Sequence, residues 1–470
     1  MQIHVVKRGE VLWRIAQQYG ADFNQVVLAN DIRDPNVLVV GQSLIIPNPN
    51  REYVVQAGDQ LWQIASRYGV TVEELARVNN ITSPALLFVG DVLIIPSVTH
   101  VVQAGETLWQ IARQYDVDVN RIIQANHLVN PSQLTIGQHL HIPLVSRPVK
   151  EVNAYTTQIN QAGAAEVTAL GRNFTYLSLF MHAVREDGTV TALQDAPVLE
   201  AAKAQDVAPL FVITNFKENN FSSDLAATIL RNPALQEKLL TNIVNKMQEK
   251  GYRGLNIDFE YVYPEDRENY NAFLRRVVAK LRPLGFSVST ALAPKESADQ
   301  KGLLYEAHDY PVHGELVDFV ILMTYEWGWA GGQPWAIAPI NKVRDVLDYA
   351  VTAIPSEKIM MGAPLYGRDW KIPWQQGTIA RTVGPQEAVN LAAEHQVAIE
   401  YNDTYQSPFF RYTDSSGQRH EVWFEDARSM QAKYDLVKEY GLRGVSFWVL
   451  GSPFPQNWPI LQHNFKVRKK

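Results

Sequence analysis

One sequence pattern occurs three times near the start of this 470-residue chain, and it restricts how that part can fold. The copies begin HVVKRGEVLWRIAQQYG, YVVQAGDQLWQIASRYG and HVVQAGETLWQIARQYD, and each closes on an Ile-Pro pair. The spacing between copies varies, but the interval from first glycine to closing proline is the same in Gly9–Pro47, Gly58–Pro96 and Gly105–Pro143. A constant interior with variable spacing predicts three separate small modules on short linkers rather than a solenoid of docked repeats.

Within a copy, an alternating strand is followed by two helical stretches and a final strand. In the second copy, the apolar residues of the first helical stretch have the spacing of one helix face; they are Leu61, Ile64, Ala65 and Tyr68. This βααβ order places the modules at residues 2–48, 52–97 and 99–144.

The repeated pattern resembles the LysM module, which binds chains containing N-acetylglucosamine. The resemblance implies a sugar groove between the first strand–helix loop and the second helix–strand loop. By position, the expected glycan contacts are Gly9, Glu10, Gly58, Asp59, Gly105 and Glu106. The tryptophans Trp13, Trp62 and Trp109 could stack on sugars, but their place in the helical register favours packing in the module core. Weak sites in tandem predict a polymeric ligand, because linkage raises their effective concentration.

Beyond the repeats, eight apolar, β-rich runs alternate with amphipathic segments. The runs cover residues 152–157, 174–180, 208–216, 254–262, 286–294, 317–326, 359–367 and 444–451. Eight strands alternating with helices predict an α/β fold, a closed (β/α)8 TIM barrel, over residues 150–470. Residues 144–151 are interpreted as the preceding linker, and the long interval before the eighth run predicts a small α+β insertion at about 369–435.

The fourth run, GLNIDFEYV, carries acidic residues inside an apolar stretch. Because side chains alternate along a strand, Asn256, Asp258 and Glu260 share one face. In a barrel that face lines the interior and approaches the carboxyl-terminal end, where such barrels place their active sites. A purely structural role, in which buried carboxylates pair with cations, is disfavoured because the run contains no Lys or Arg. The pattern predicts catalytic carboxyl groups.

These runs resemble glycoside hydrolase family 18, whose fourth-strand signature is D-G-x-D-x-D-x-E. Here the stretch reads RGLNIDFE, so Asp258 and Glu260 match, whereas Arg253 and Asn256 replace two aspartates. Three further segments correspond to the family pattern: MTYE (323–326) to its M-x-Y-D, GAPLYGR (362–368) to its seventh strand, and Trp448 to a tryptophan beneath the sugar.

The resemblance implies a retaining, substrate-assisted mechanism rather than the two-carboxylate scheme. Glu260 would be the general acid and then the base. Asp258 would orient the substrate's own 2-acetamido group as the nucleophile, and Tyr325 would hydrogen-bond to its carbonyl oxygen. Further sugar contacts are expected at Asn256, Glu326, Trp448, Tyr366, Arg368 and Asn215.

Composition narrows the possible partners. A net charge of −6 and a pI near 6.0 argue against nucleic acid, and the basic ending KVRKK is interpreted as a solvated tail. There is no cysteine, and the histidines lack ligand-like spacing, so no metal or other cofactor is expected. No run approaches the ~18 apolar residues of a membrane span. The N-terminal residues lack a secretory-signal pattern. We expect no membrane partner, and we expect the protein to be a monomer.

Glycan-binding modules joined to an acetamido-dependent hydrolase predict chitin or peptidoglycan as the substrate. The combination resembles the cortex-fragment-lytic glucosaminidases of spore formers. That resemblance implies cleavage after N-acetylglucosamine in spore cortex peptidoglycan during germination. It also implies a spore-associated location reached without a cleavable signal, or otherwise the cell wall. Two alternatives stay open: a chitinase anchored by LysM modules, and a catalytically silent glycan-binding protein of the spore or wall.

Overall fold

Each repeat folds as a two-stranded antiparallel sheet with two helices, as the pattern predicted. This computed structural model describes residues 1–115, 117–143 and 147–470. The module elements are β1 (Gln2–Val5), α1 (Leu12–Gln18), α2 (Phe23–Ala29), β2 (Ser43–Ile46), β3 (Glu52–Val54), α3 (Leu61–Tyr68), α4 (Val72–Val78), β4 (Val92–Ile94), β5 (Ser97–Val101), α5 (Leu108–Gln114), α6 (Val119–Asn126) and β6 (His139–Pro143). The first and last strands of each module pair with each other, as β1–β2, β3–β4 and β5–β6.

The asparagine of each repeat closes its module. In the first copy, the Asn30 side chain donates to the carbonyls of Val26 and Ile45 and accepts from the Ile45 amide, each at 2.8 Å. Asn79 and Asn126 make the same three hydrogen bonds in their own modules. One side chain therefore ties the second helix to the final strand, which explains why the repeat contains an amide at this position.

The modules contact one another, which the expectation of three separate modules on short linkers did not include. The Arg51 guanidinium of the second module donates to the carbonyls of Tyr115 (3.1 Å) and Pro143 in the third. Between the first and second modules, the Gln25 side chain accepts from the Val54 amide at 3.4 Å. The modules thus form one compact unit, because long side chains at the module edges satisfy the backbone of their neighbours.

The module unit comprises residues 1–149 together with residues 455–466. From the sequence, residues 455–466 were expected in the barrel domain, as part of the single span 150–470. The returning segment contains α16 (Asn457–Asn464). Just before it, the Gln456 side chain donates to Asn30 Oδ1 (3.0 Å) and to the Ser43 carbonyl (2.8 Å). The last helix is therefore part of the module unit. Residues 144–146 of the predicted linker lie outside the described residues.

The second unit, residues 150–454 and 467–470, contains the predicted barrel. Eight parallel strands close on themselves, the last pairing with the first. The strands are β7 (Val149–Thr156), β8 (Tyr176–Ala183), β9 (Ala208–Thr214), β12 (Gly254–Asp258), β13 (Ser287–Leu292), β14 (Phe319–Leu322), β15 (Ile359–Pro364) and β21 (Gly444–Trp448). The alternating helices are α7 (Gln161–Leu170), α8 (Ala196–Ala204), α9 (Ser223–Leu230), α10 (Pro233–Lys250), α11 (Arg267–Leu281), α12 (Tyr310–Leu316), α13 (Ile340–Ala353) and α15 (Ala427–Glu439).

Smaller elements lie between or beside the barrel strands. A short hairpin, β10 (Phe216–Lys217) and β11 (Asn220–Phe221), follows the third strand. A five-stranded antiparallel sheet and one helix lie between the seventh and eighth strands; they are β16 (Gly367–Ile372), β17 (Arg381–Val383), α14 (Pro385–Glu394), β18 (Glu400–Asn402), β19 (Ser407–Thr413) and β20 (Arg419–Trp423). The two-residue β22 (Lys466–Val467) lies beside the first barrel strand.

Alternation along the fourth strand is as predicted. The outward residue Phe259 is fully buried against α11, where its ring stacks on Tyr270 and Phe273 with centroids 6.0 and 6.1 Å apart. The intervening Asn256 reaches the barrel interior, where its side chain contacts Tyr155 of the first strand. The apolar set therefore packs beneath the helices and the polar set faces inward.

The basic C-terminal residues are not the solvated tail that composition suggested. Lys469 donates to the carbonyls of Gly171 and Phe174 at 2.8 Å, and its burial lowers its pKa to about 7. Arg468 and Lys470 approach the buried Glu151 carboxylate at 3.3 and 3.4 Å. The tail docks because a buried carboxylate and two backbone carbonyls accept hydrogen bonds or ion pairs from its cations, which composition cannot reveal.

We predict that Glu151→Gln lowers the free energy of unfolding by about 3 kcal/mol, because it leaves the largely buried Arg443 guanidinium without its anion. Burial alone would raise the pKa of Glu151, but the Arg443 and Lys470 charges hold it below the ordinary value. The stabilisation is therefore present above the unfolded-state pKa and is lost as the pH falls. Urea unfolding at neutral and acidic pH measures the difference.

The matched control is Glu439→Gln, which removes a solvent-exposed ion pair with Arg344 and should cost less than about 1 kcal/mol. Equal effects of the two substitutions would contradict a buried charge centre at Glu151.

Candidate active site

A cavity of about 520 Å³ opens at the carboxyl-terminal ends of the barrel strands. Its lining includes Tyr155, Asp258, Glu260, Tyr325, Glu326 and Trp448. A larger concavity of about 970 Å³ lies at the opposite ends of the strands, near Arg253 and Ser287. Active sites of (β/α)8 barrels form at the carboxyl-terminal face, so the smaller cavity is the candidate site.

Two carboxyl groups share this cavity and hold protons more tightly than isolated groups. Burial raises the pKa of Asp258. The pKa of Glu260 is raised well above its ordinary value, first by burial and then by the negative charges of Asp258 and Glu326. Such a pair retains a proton near neutral pH, since ionising both groups would place two like charges in a poorly solvated space. The site can therefore supply a general acid.

Asp258 is held in the cavity without a partner for one of its oxygens. Within the described part of the chain, Asp258 Oδ1 is buried and accepts no hydrogen bond. An unsatisfied buried acceptor at a cavity is a place where a ligand donor can bind. The neighbouring Asn256 is not available for that purpose: its Oδ1 accepts from the Tyr155 hydroxyl (2.9 Å) and its amide donates to Ser289 Oγ (3.0 Å).

Beneath Asp258, Asn256 is therefore a buried support and does not line the cavity. This buried position does not support the expectation that Asn256 contacts the sugar. Tyr155 and Ser289 were not singled out from the sequence. Each lies on a strand face that points inward by alternation, which is the signal that could have found them.

The segment after the sixth strand contributes Tyr325 and Glu326 to the cavity. Burial, followed by the Asp258 charge, raises the pKa of the Tyr325 phenol well above its ordinary value, so this hydroxyl remains a hydrogen-bond donor. Glu326 has a left-handed backbone (φ 68°) and accepts from Arg368 at 2.7 Å and from the Tyr366 hydroxyl. Glu326 and Arg368 line the cavity, whereas Tyr366 lies behind them and holds the glutamate.

Aromatic side chains form much of the remaining wall. Trp448 packs edge-on against Tyr155 and Phe180, with ring centroids 5.3 and 4.8 Å apart. Trp329, which sequence reasoning missed, lines the cavity with 56% of its surface exposed. A Cβ added at Gly331 or Gly332 would lie within 2.5 Å of its ring, so the Gly-Gly pair in EWGWAGG leaves the room that this indole needs. That dipeptide was the available signal.

Asn215 does not line the cavity. Its side chain is fully buried, and its hydrogen bonds go to the backbone of Glu260 and Ser222. The prediction that it touches the sugar is therefore corrected, because none of its polar atoms faces the open space.

In the modules, the predicted loop carboxylates shape the first loop. Glu10 accepts from the Lys7 amide (2.7 Å) and bonds to His4 Nε2 (2.9 Å). Glu106 and Asp59 accept the corresponding amide hydrogen bonds, each with a ring partner of its own. The adjacent glycines have φ values near 85° (Gly9 83°, Gly58 87°, Gly105 82°), which favours glycine over other residues. Contact of these residues with glycan stays a prediction.

The interpretation of the module tryptophans as core residues is wrong. Trp13, Trp62 and Trp109 are 54%, 58% and 62% exposed. Each follows the buried leucine of its helix by one position, which turns it about 100° away from the packed face. An arginine lies over the ring of Trp13 and of Trp109. Each module therefore presents an indole to solvent at the same place.

Two further findings concern only the described residues. No helix there has the length and apolar character needed to cross a membrane. No group of three or more His, Cys, Asp or Glu side chains there has an arrangement that would hold a metal ion.

A closed barrel whose fourth strand ends in paired carboxyl groups beside a buried tyrosine defines a glycoside hydrolase. The chain belongs to the glycosyl hydrolases family 18: the family model matches residues 155–452, and the LysM domain model matches residues 4–47, 53–96 and 100–143. These modules and this enzyme family together define a glycosidase that binds glycans containing N-acetylglucosamine.

Relatives match over the whole chain. It is 45% identical to the cortical fragment-lytic enzyme of Bacillus subtilis (strain 168) over 475 aligned positions, covering 100% of this chain and 99% of that protein. The crystal structure of the Bacillus megaterium QM B1551 spore cortex-lytic enzyme SleL superposes with a TM-score of 0.80 at 38% identity, covering 100% and 99% of the two chains. The Bacillus cereus spore cortex-lytic enzyme SleL gives 0.76 at 39%, with the same coverage.

We predict that Asn256→Asp moves the basic limb of the pH–activity profile to higher pH by at least about half a unit while activity stays measurable. A buried carboxyl at this position adds negative charge beside Asp258 and Glu260, which makes their protons harder to remove. Steady-state rates across pH measure the shift. Asn120→Asp, a change at an exposed module residue, is the control and should leave the profile unmoved. Superimposable profiles for Asn256→Asp and the wild type would contradict this electrostatic assignment.

Proposed function

We propose that the chain is a retaining, substrate-assisted N-acetylglucosaminidase that cuts the β-1,4 bond after N-acetylglucosamine in spore cortex peptidoglycan or its fragments during germination. The observation that carries the proposal is the buried Asp258–Glu260 pair in one cavity with Tyr325. The full-length similarity to enzymes named for cortex lysis supports this choice of substrate.

In the proposed first step, Glu260 transfers its proton to the glycosidic oxygen as the bond from that oxygen to the anomeric carbon breaks. The carbonyl oxygen of the substrate's 2-acetamido group attacks the same carbon and forms an oxazolinium ion. The unpaired Oδ1 of Asp258 accepts the acetamido N–H and balances the positive charge, while the Tyr325 hydroxyl donates to the acetamido carbonyl. These contacts strengthen as charge develops, which favours the transition state.

In the second step, Glu260 has lost its proton and acts as a base. It removes a proton from water, the resulting hydroxide equivalent attacks the anomeric carbon, and the oxazolinium ring opens. The two displacements on one carbon restore the β configuration. Glu326, fixed by Arg368 and Tyr366, is placed to hydrogen-bond to the sugar, and Trp448 supplies an apolar surface beneath it.

The modules are proposed to hold the enzyme on its polymer. Three LysM modules, at about residues 2–48, 52–97 and 99–144, would bind wall glycan, while the barrel with its insertion at about 369–435 carries the chemistry. We further propose that the protein acts as a monomer associated with the spore cortex or coat.

The first test uses Glu260→Gln on purified cortex fragments. We expect kcat to fall about 10²–10⁴-fold, the usual contribution of a general acid, with little change in fragment binding. Mass spectrometry of wild-type products should show N-acetylglucosamine at the new reducing ends, and NMR should detect the β anomer first.

The same assays decide between the alternatives. Faster release from chitin oligomers than from cortex fragments would favour a chitinase anchored by its modules. Identical behaviour of wild type and Glu260→Gln would show that the barrel only binds glycan.

The second test concerns the exposed indoles, which we propose stack on sugar rings. Replacing Trp13, Trp62 and Trp109 together by alanine should weaken binding to insoluble cortex at least about tenfold, because loss at every module removes the gain from tandem linkage. Turnover of a small soluble glycoside and the melting temperature should stay near wild type, since the side chains are exposed. The matched control is Val129→Ala, at a fully exposed module residue. Unchanged sedimentation with cortex would remove the indoles from the binding surface.

A further inference from the structure

Glu260 lies just beyond the point where its strand stops pairing. The register between β9 and β12 ends with Thr214 opposite Asp258. After this pair the third strand turns away into the hairpin formed by β10 and β11. The peptide of Glu260 therefore lacks a backbone neighbour from the third strand at the position where accurate placement of its carboxyl matters most.

The side chain of Asn215 fills that place. Its Oδ1 accepts from the Glu260 amide at 3.0 Å, and its Nδ2 donates to the Glu260 carbonyl at 2.8 Å. An amide side chain presents one acceptor and two donors, so it can pair with both sides of a residue as a strand would. The second N–H donates to the Ser222 carbonyl at 3.0 Å, which ties the arrangement to the base of the hairpin.

The structure assigns to Asn215 the role of a positioning residue that replaces the missing strand backbone and fixes Glu260 for proton transfer. The assignment rests on the proposed function of Glu260 as general acid. The residue acts through Glu260 and does not contact substrate: its side chain is fully buried and all three of its strong hydrogen bonds go to backbone atoms.

The hairpin formed by β10 and β11 links the hydrogen bonds of Asn215 to the catalytic cavity. Phe221 on β11 lines the catalytic cavity, and Ser222 follows it directly. On the other side, the Ser223 hydroxyl donates to the carbonyl of Tyr261, the residue after Glu260, which has a left-handed backbone (φ 54°). Two successive residues of the catalytic loop are thus held by the segment that presents Phe221 to the sugar.

Both bonds require one donor and one acceptor on a side chain of this length. Alanine removes the donor and the acceptor, leaving two backbone groups of Glu260 without partners. Aspartate has the same shape but, when ionised, cannot donate to the Glu260 carbonyl; when protonated it can donate once and accept once. A misplaced acid slows proton transfer without preventing substrate from binding, since a displacement of about 1 Å can cost 10²-fold in rate.

The test measures kcat and KM of the full chain on cortex fragments for wild type, Asn215→Ala and Asn215→Asp. We expect kcat of Asn215→Ala to fall about 10–100-fold with KM within about twofold of wild type. The defect should be much smaller on a 2,4-dinitrophenyl glycoside than on a 4-methylumbelliferyl glycoside of the same oligosaccharide, because a good leaving group needs no proton from Glu260.

Asn215→Asp provides a second, isosteric readout that does not depend on the alanine variant folding. Its activity relative to wild type should rise as the pH is lowered, when the new carboxyl gains the proton that lets it donate to the Glu260 carbonyl. The control is Asn232→Ala, which removes the side-chain cap of α10, where Asn232 accepts from the Leu235 amide. It should lower the melting temperature without changing kcat or the leaving-group dependence.

The possible results separate the two proposals. Wild type that is inactive on cortex but active on chitin oligomers would overturn the proposed substrate and leave the role of Asn215 to be judged on chitin. Wild-type kcat in Asn215→Ala, equal losses on both aryl glycosides, or a pH-independent ratio for Asn215→Asp would each overturn the positioning role.

Discussion

The cost of burying carboxyl groups governs both ends of this barrel. At the amino-terminal end, Glu151 is surrounded by cations, and its pKa is held low. At the carboxyl-terminal end, Asp258 and Glu260 have no cation paired with them in the described part of the chain, and their pKa values are raised. Where charges compensate, a buried acid stabilises the fold. Where no cation pairs with it, the buried acid keeps a proton that it can give to a substrate.

The sequence was sufficient to predict the features that follow from local periodicity. Alternation along GLNIDFEYV placed Asp258 on the inner face and Phe259 beneath the surrounding helices, and eight such runs implied a closed barrel. The substitutions in the motif become intelligible only with the structure. Asn256 is locked between Tyr155 and Ser289, so it supports Asp258 without exchanging protons. Glu326 is longer than the aspartate of the family pattern and reaches both Arg368 and Tyr366.

What the sequence could not predict depends on contacts between distant residues or on finer helix geometry. The bond from Arg51 to the Tyr115 carbonyl joins two modules across 64 positions, and no periodicity records it. The module tryptophans lie in the apolar helical stretch but not on its packed face, because each follows a buried leucine by one position and adjacent helix positions differ by about 100°. Asn215 was assigned to the sugar because it ends a strand, whereas its partners are peptide groups of another strand end.

Docking of the modules changes how three weak sites combine. On flexible linkers, the effective concentration of the second and third sites would depend on linker length and decrease as the linkers lengthen. In the docked unit, Arg51 and Gln25 help to fix the spacing, so the ordering of the linkers is already achieved when the protein folds. If the indoles stack on sugars as proposed, three of them at fixed positions gain most from a ligand that repeats and is itself stiff. On the proposed function, this arrangement favours an extended glycan over short soluble oligosaccharides.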